Sequence, residues 1–168
     1  MEKIIYNEIW RQIDGYENYY VSNFGRVKNI NTERILKQSK NKDGYCQIYL
    51  YNDGKAKTFK VHRLVAFAFI GDSNLSVDHI NHDKTNNEVT NLRFATRSQQ
   101  QQNTRSHKNS SSKYKGVHKF RNKWVSRITI QKESIYLGRF ESEIDAAIAY
   151  DKKAKELFGD FAFLNFEE

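Results

Sequence analysis

The densest chemistry in the chain lies at Val77-Asp78-His79-Ile80-Asn81-His82-Asp83-Lys84-Thr85-Asn86-Asn87, with Asn91-Leu92-Arg93 and the run Ser98 to Asn103 just beyond it. An imidazole beside a carboxylate can take a proton from water, and carboxylate and carboxamide oxygens suit a hard cation such as Mg²⁺. Phosphodiester hydrolysis needs both, a base to activate water and a cation to neutralise the leaving oxygen. Spacing alone does not select this reading. An adjacent Asp-His pair on a strand points to opposite faces unless the strand bends or bulges, although a loop after it can re-aim the side chains. The competing reading, which spacing by itself favours, makes Asp78 and His82-Asp83 loop polars that close Asx-turns.

The elements that must hold this cluster are short. Residues 8 to 61 read as strands, with Val21, Phe24 and Val27 set among the turn-formers Ser22-Asn23 and Gly25. From Tyr45 to Tyr51 the pattern alternates, Cys46, Ile48 and Leu50 on one face and Tyr45, Gln47, Tyr49 and Tyr51 on the other. Asn52-Asp53-Gly54 supplies a turn and Thr58 to Val61 a return strand, a hairpin pattern. Within His62 to Ile70, Leu64, Val65, Ala68 and Phe69 recur at helical spacing before Gly71, though so short a run also fits a strand. Val77 to Ile80 reads as a strand entering the polar loop 81–91, and Leu92 to Ala95 as the strand that returns. Thr96 or Ser98 can then cap a helix through the glutamines. Residues 104–113 carry no apolar side chain and mark a linker. Beyond it, Tyr114 to Val117, Trp124 to Ile130 and Ser134 to Phe140 read as three strands. Ser142 and Asp145 fit a capping box, and Ile144, Ala147, Tyr150, Ala154 and Leu157 form a helical stripe that stops at Gly159.

Composition bounds the partners. The chain's 168 residues allow one domain or two small ones, and 38% hydrophobic content excludes a disordered chain. The formal charge is +8, unevenly spread: Arg97 to Lys132 holds ten Lys or Arg and no Asp or Glu. Such a stretch repels itself unless a polyanion neutralises it, and nucleic acid is the usual one; the alternative is a solvated surface or linker. The single cysteine, Cys46, builds neither a disulfide framework nor a Cys-rich zinc site, and fits a reducing compartment. No apolar run approaches the roughly 20 residues of a membrane span, and the N-terminus is too polar for a secretion signal. The expectation is a soluble intracellular protein, in the cytoplasm of a bacterial host if phage-encoded.

Residues 61 to 105 resemble the HNH family, particularly its phage and intron-borne homing and nicking endonucleases. The matching residues are Val61-His62-Arg63-Leu64-Val65-Ala66, Val77-Asp78-His79, Asn86-Asn87, Asn91-Leu92-Arg93 and the helix start from Ser98 to Asn103. The resemblance implies a ββα-metal fold with Mg²⁺ or Mn²⁺ as cofactor. It makes Asp78 a metal ligand, His79 the general base and Asn91 the residue that fixes the loop holding His79. A second ligand is expected from the helix, where relatives carry Asn-x-x-Asn. Here Gln100 replaces the first Asn and Asn103 matches the second, so the metal site has either a longer ligand or a decayed one. His62 reads as a packed or capping histidine, and His82 as a DNA contact.

Two flanking resemblances complete the layout. Glu8 to Ile13, Gly15-Tyr16-Glu17 and Tyr19 to Val27 resemble the NUMOD-type segment found beside HNH nucleases, whose role is packing or DNA contact. The C-terminal part resembles the plant Apetala-type (ethylene-response-factor, AP2) DNA-binding domain through Tyr114-Lys115-Gly116-Val117, Trp124, Tyr136-Leu137-Gly138, Phe140, Ala146-Ala147, Ala149-Tyr150-Asp151, Ala154, Phe158-Gly159 and Leu164-Asn165-Phe166. That resemblance implies a three-stranded sheet in the major groove, backed by one helix. Lys115, His118, Lys119, Arg121, Trp124, Arg127, Thr129 and Tyr136 are the candidates for its DNA face, with Trp124 also readable as core.

The expected architecture is α+β: a β-rich segment over 1–60, a ββα-metal nuclease over 61–105, a linker over 106–113, and a three-stranded antiparallel sheet with one helix over 114–168. The expected function is a metal-dependent endonuclease acting on double-stranded DNA as a monomer, without an obligate protein partner. The alternatives are a DNA-binding regulator with a degenerate nuclease centre, which Gln100 favours, and an RNA-binding protein.

Overall fold

The computed structural model describes residues 7–104 and 110–166. It contains several small antiparallel sheets and few helices, and it divides into two compact units, Met1–Thr96 and Arg97–Glu168.

The first unit opens with strands β1 (Trp10–Ile13), β2 (Tyr16–Ser22), β3 (Val27–Asn29) and β4 (Arg34–Ile35), hydrogen-bonded in that order. A second sheet follows, β5 (Ser39–Lys40), β6 (Cys46–Asn52) and β7 (Lys55–Lys60). The β6–β7 hairpin pairs Asn52 with Lys55, leaving Asp53 and Gly54 as a two-residue turn with φ of 49° and 72°. Positive φ at both turn positions gives the backbone twist that matches two antiparallel strands. Pairing therefore resumes at Lys55, earlier than the return strand expected from Thr58. The alternation holds: Ile48 and Leu50 are buried, while Tyr49 and Tyr51 are exposed.

The run His62 to Ile70 is a helix, α1 (Val61–Phe69), entered directly from β7, and it buries Val61, His62, Leu64, Val65 and Ala66. Strands β8 (Ser76–His79) and β9 (Leu92–Ala95) close the unit as an antiparallel pair. One interior joins all of these pieces, from Ile13, Tyr19, Val21 and Val27 through Ile48 and Leu50 to Val61, Leu64, Val65, Val77 and Leu92. Residues 8–60 thus share a core with the helix and hairpin that follow. None of these sheets is large enough to bury an interior alone.

The second unit holds α2 (Arg97–Gln102), strands β10 (Val117–Phe120), β11 (Lys123–Ile130) and β12 (Glu133–Phe140) in a three-stranded antiparallel sheet, and α3 (Glu143–Phe158). Of the expected linker, residues 106–109 lie outside the described residues. Its end is packed: Ser112 is buried, its Oγ donating to Glu143 Oε1 at 2.7 Å and accepting from the Tyr114 amide at 3.0 Å. The first strand starts at Val117, not Tyr114. Gly116 turns the chain there with φ 77°, and its missing side chain admits the Tyr150 ring, which a Cβ would meet at 1.9 Å. Helix α3 begins as expected, with Ser142 Oγ accepting from the Ile144 and Asp145 amides. Its buried stripe is Ala146, Ala147, Tyr150 and Ala154; Ile144, expected in that stripe, is exposed. No helix among the described residues is long and apolar enough to cross a membrane.

Gly116→Ala forces a Cβ into the Tyr150 ring at a positive φ. The variant should lose more than about 1 kcal/mol. Thermal denaturation followed by near-UV circular dichroism checks this; a melting temperature equal to wild type would contradict the close approach.

Candidate functional site

The site is built on the β8–β9 pair and the loop between its strands. Asn91, the last residue before β9, closes that loop. Its Oδ1 accepts from the Asn81 amide at 3.0 Å, and its Nδ2 donates to Asn81 Oδ1 at 2.9 Å and to the Asn86 carbonyl at 2.8 Å. One buried carboxamide thus ties both ends of the loop. Asp83 is a turn-former: its Oδ1 accepts from the Thr85 amide and hydroxyl, which holds its carboxyl below the usual carboxylate range. Asn81 and Asn86 make similar bonds to the amides of Asp83 and Glu88. The Asx-turn reading therefore describes Asp83 and not Asp78.

Asp78 faces Arg93 across the strand pair: its Oδ2 accepts from the guanidinium Nε at 3.0 Å and lies 3.0 Å from Nη2 in an ion pair. His79, one residue on, is buried. Its ring lies 5.1 Å from that of His62 and 5.9 Å from that of Tyr45. Its Nε2 lies 3.0 Å from Asn87 Oδ1, and Asn87 Nδ2 donates to the Thr85 carbonyl at 3.2 Å. The Thr85 bond fixes which end of the amide is oxygen. The Nε2 of His79 must then carry the hydrogen, and the basic lone pair of the neutral ring sits on Nδ1. Burial holds the His79 pKa below the ordinary histidine value, partly offset by the Asn87 bond and by the Asp78 and Asp83 carboxylates. A neutral, oriented imidazole has the form a proton acceptor needs.

Asn87 was within the sequence match without a role, because nothing in the spacing separates it from Asn86. Its support comes from far along the chain. Gly25 (φ 78°) lies so close that a Cβ there would meet Asn87 Cβ at 2.8 Å, and the Asn23 carbonyl accepts from the Val89 amide at 2.8 Å. The N-terminal segment therefore packs directly on the loop that orients His79. His62 is a packed residue, as the sequence implied: burial, with His79, Lys60 and Arg63 nearby, pushes its pKa down to about 3.

Among the described residues, no group of three His, Cys, Asp or Glu side chains forms a metal cage. The available donors are oxygens, the Asp78 carboxylate and the Gln100 and Asn103 carboxamides. Oxygen donors of this kind suit an ion like Mg²⁺, which keeps several waters and needs only one or two protein ligands beside substrate phosphate. Gln100 lies on α2 and Asn103 directly after it, in the second unit; Asn103 is buried and its amide donates to the Gln99 carbonyl at 3.0 Å.

Within the second unit, the expected DNA-facing residues separate. Residues directly opposite in an antiparallel register share a face. Trp124, opposite Phe140, packs with it against Val117, Ala146 and Ala147, so Trp124 is core rather than contact. Lys119 pairs with Trp124 and places its ammonium 5.7 Å from that ring. Arg127 pairs with Tyr136, Thr129 with Ser134, and His118 with Val125, which in turn pairs with Arg139; these belong to the face away from α3. Arg121 sits in the β10–β11 turn with φ 54°. Lys115 does not join that face: its ammonium donates to the Gln102 carbonyl at 2.5 Å, and burial lowers its pKa to about 8. It serves the last carbonyls of α2, a favoured place for a cation. Phe120 and Arg139, which the sequence reading passed over, lie on the face away from α3, the guanidinium 5.4 Å from the ring.

Comparison with known proteins places the motif. Residues 59–102 match the HNH endonuclease family. Residues 8–51 match the NUMOD4 motif. An HNH endonuclease of Acanthamoeba polyphaga mimivirus is 46% identical over 99 residues, covering 55% of this chain and 25% of that protein. The DNA endonuclease I-HmuI of Bacillus phage SP01 is 42% identical over 90 residues, 52% of each chain. A solved structure on DNA binding and cleavage by the HNH homing endonuclease I-HmuI aligns with a TM-score of 0.50 at 49% identity, covering 52% of each chain. The chain spans from a quarter to about half the length of these relatives.

Two outcomes follow from the buried histidines and the Gly25 contact. In the unfolded chain His62 titrates near 6.5, in the folded one near 3, so between those values the unfolded state binds more protons. Stability is fully present above about pH 6.5 and should fall as pH drops toward 3. Denaturant titrations at several pH values check this, and a slope that His62→Phe leaves unchanged would contradict it. Gly25→Ala should displace Asn87, read as a shift of the His79 ring resonances in a nitrogen–proton correlation spectrum.

Proposed function

We propose that the chain is a metal-dependent HNH endonuclease of homing type that binds duplex DNA and hydrolyses a phosphodiester bond, as a nick or a double-strand cut. The observation that carries this reading is the buried, neutral His79 with Nε2 held by Asn87, at the end of a strand whose preceding residue is Asp78, inside the stretch that matches HNH endonucleases. His79 Nδ1 takes a proton from water as the water oxygen attacks phosphorus and the bond to the leaving oxygen breaks. Asn91 keeps the loop in place, and Arg93 neutralises Asp78. Asp78, with Gln100 or Asn103, would hold Mg²⁺ or Mn²⁺ in a ββα-metal arrangement, and the bound ion would stabilise the developing charge on the leaving oxygen. In the second unit, His118, Arg127, Thr129 and Tyr136 would meet the major groove from a sheet of Apetala type, with Lys119 and Arg121 at its edge. The expected linker would separate the two functions.

A second reading, a DNA-binding regulator with a decayed nuclease centre, rests on Gln100 where relatives carry Asn. Gln100→Asn should keep or raise activity if the carboxamide is a ligand, and Gln100→Ala should require more metal. If Asn103 is the ligand instead, the metal requirement shifts in Asn103→Ala alone.

The deciding experiment is supercoiled plasmid with Mg²⁺ or Mn²⁺ against EDTA. Relaxation or linearisation that needs metal supports the endonuclease; duplex binding with no cleavage under any ion supports the regulator. His79→Ala should slow cleavage by about 10²–10⁴-fold with duplex affinity retained, and a variant cutting at the wild-type rate would remove His79 as the base.

A further inference from the structure

Beside His79, two cations from distant parts of the chain converge on one ring. Lys60, the last residue of β7, places its ammonium 4.9 Å from the centre of the Tyr45 ring, and Lys84, from the loop after β8, places its own at 4.7 Å. Tyr45 in turn lies 4.9 Å from His62 and 5.9 Å from His79. Lys84 is steadied by a 2.9 Å bond to the Asp43 carbonyl, and the Tyr45 backbone is pinned by Asn41, which accepts from its amide through Oδ1 and donates to its carbonyl. Among the described residues neither ammonium has a carboxylate within ion-pair distance.

We propose that Tyr45, Lys60 and Lys84 form a subsite for one DNA backbone phosphate adjacent to the phosphate being cut. The proposal rests on the endonuclease reading above. With no carboxylate paired to either ammonium, both charges remain to attract an anion arriving beside the ring. An exposed cation–π contact is weak, so a phosphate can compete with the ring for either ammonium. Lysine is a compact point charge suited to a phosphate oxygen, and the tyrosine hydroxyl adds a donor. His62 backs the ring: it is 4% exposed and its Nδ1 is buried without a hydrogen-bond partner, so packing rather than bonding fixes it. The subsite is thereby locked at a set distance from the base, and a phosphate held there would register the strand against His79.

The test is duplex binding in EDTA, with a duplex carrying the cut site mapped from wild-type plasmid cleavage. Lys60→Met and Lys84→Met should each reduce the slope of log affinity against log salt by about one, while Lys60→Arg and Lys84→Arg retain it. A scan with single neutral methylphosphonates then locates the contact. Wild type should lose affinity at one phosphate next to the cut, and both methionine variants should be insensitive at that position alone. Thermal melts show that the variants are folded. Unchanged slopes, or variants as sensitive as wild type at every phosphate near the cut, overturn the subsite while leaving the endonuclease standing. A wild type that neither binds nor cuts duplex removes the endonuclease reading, and the subsite with it.

Discussion

The first unit depends on one hydrogen bond, from His79 Nε2 to Asn87 Oδ1 at 3.0 Å. A buried imidazole can hold either tautomer, and only its partner decides which nitrogen keeps the lone pair. Here the partner is an amide whose own orientation is set by Thr85, in a loop tied at both ends by Asn91 and pressed from behind by Gly25. Each of these contacts helps to hold the ring in one orientation, beside its packing against His62 and Tyr45. The shared core between the N-terminal sheets, α1 and the β8–β9 pair is therefore part of the site's construction. Two short strands and a nine-residue helix cannot hold a ring to a set angle unless something large packs behind them.

Charge is arranged on the same principle. Asp78 is paired with Arg93 across the strands, which keeps a half-buried carboxylate neutralised. Among the described residues, Lys60 and Lys84 at Tyr45, and Arg127 and Arg139 on the sheet of the second unit, have no carboxylate within ion-pair distance. That sheet divides its side chains by register. The β12 bulge at Leu137, the extra residue between the Ser126–Gly138 and Arg127–Tyr136 pairs, turns Leu137 with Ile135 toward the α3 side and leaves Arg127 and Tyr136 together on the other.

Much of the candidate site was legible in the residues. The Asp78-His79 pair and the turn at Asp53-Gly54 are local features, set by neighbours a few positions away, the strand alternation at Ile48 and Leu50 is a period-two pattern, and the loop-fixing place of Asn91 came from the family resemblance alone. The limits of local reading show equally clearly. Lys115 and Trp124 carry the right chemistry for a nucleic-acid face, yet one is drawn to the end of α2 and the other into the core beneath α3. A side chain's chemistry does not say which way the backbone turns it, and at Gly116 that turn depends on a ring more than thirty residues away.

By itself, then, the sequence determined the inventory: a histidine beside an aspartate, carboxamides further along, an excess of basic residues from Arg97 to Lys132, and short elements in a fixed order. Those follow from residue type and from spacing within one element. Only the tertiary structure decided that Asn87, and not Asn86, meets His79, that Gly25 stands behind it, and that Tyr45 gathers Lys60 and Lys84. Each of these is a contact between segments separated in sequence. Its existence depends on how several small sheets pack into one interior, which no local periodicity encodes.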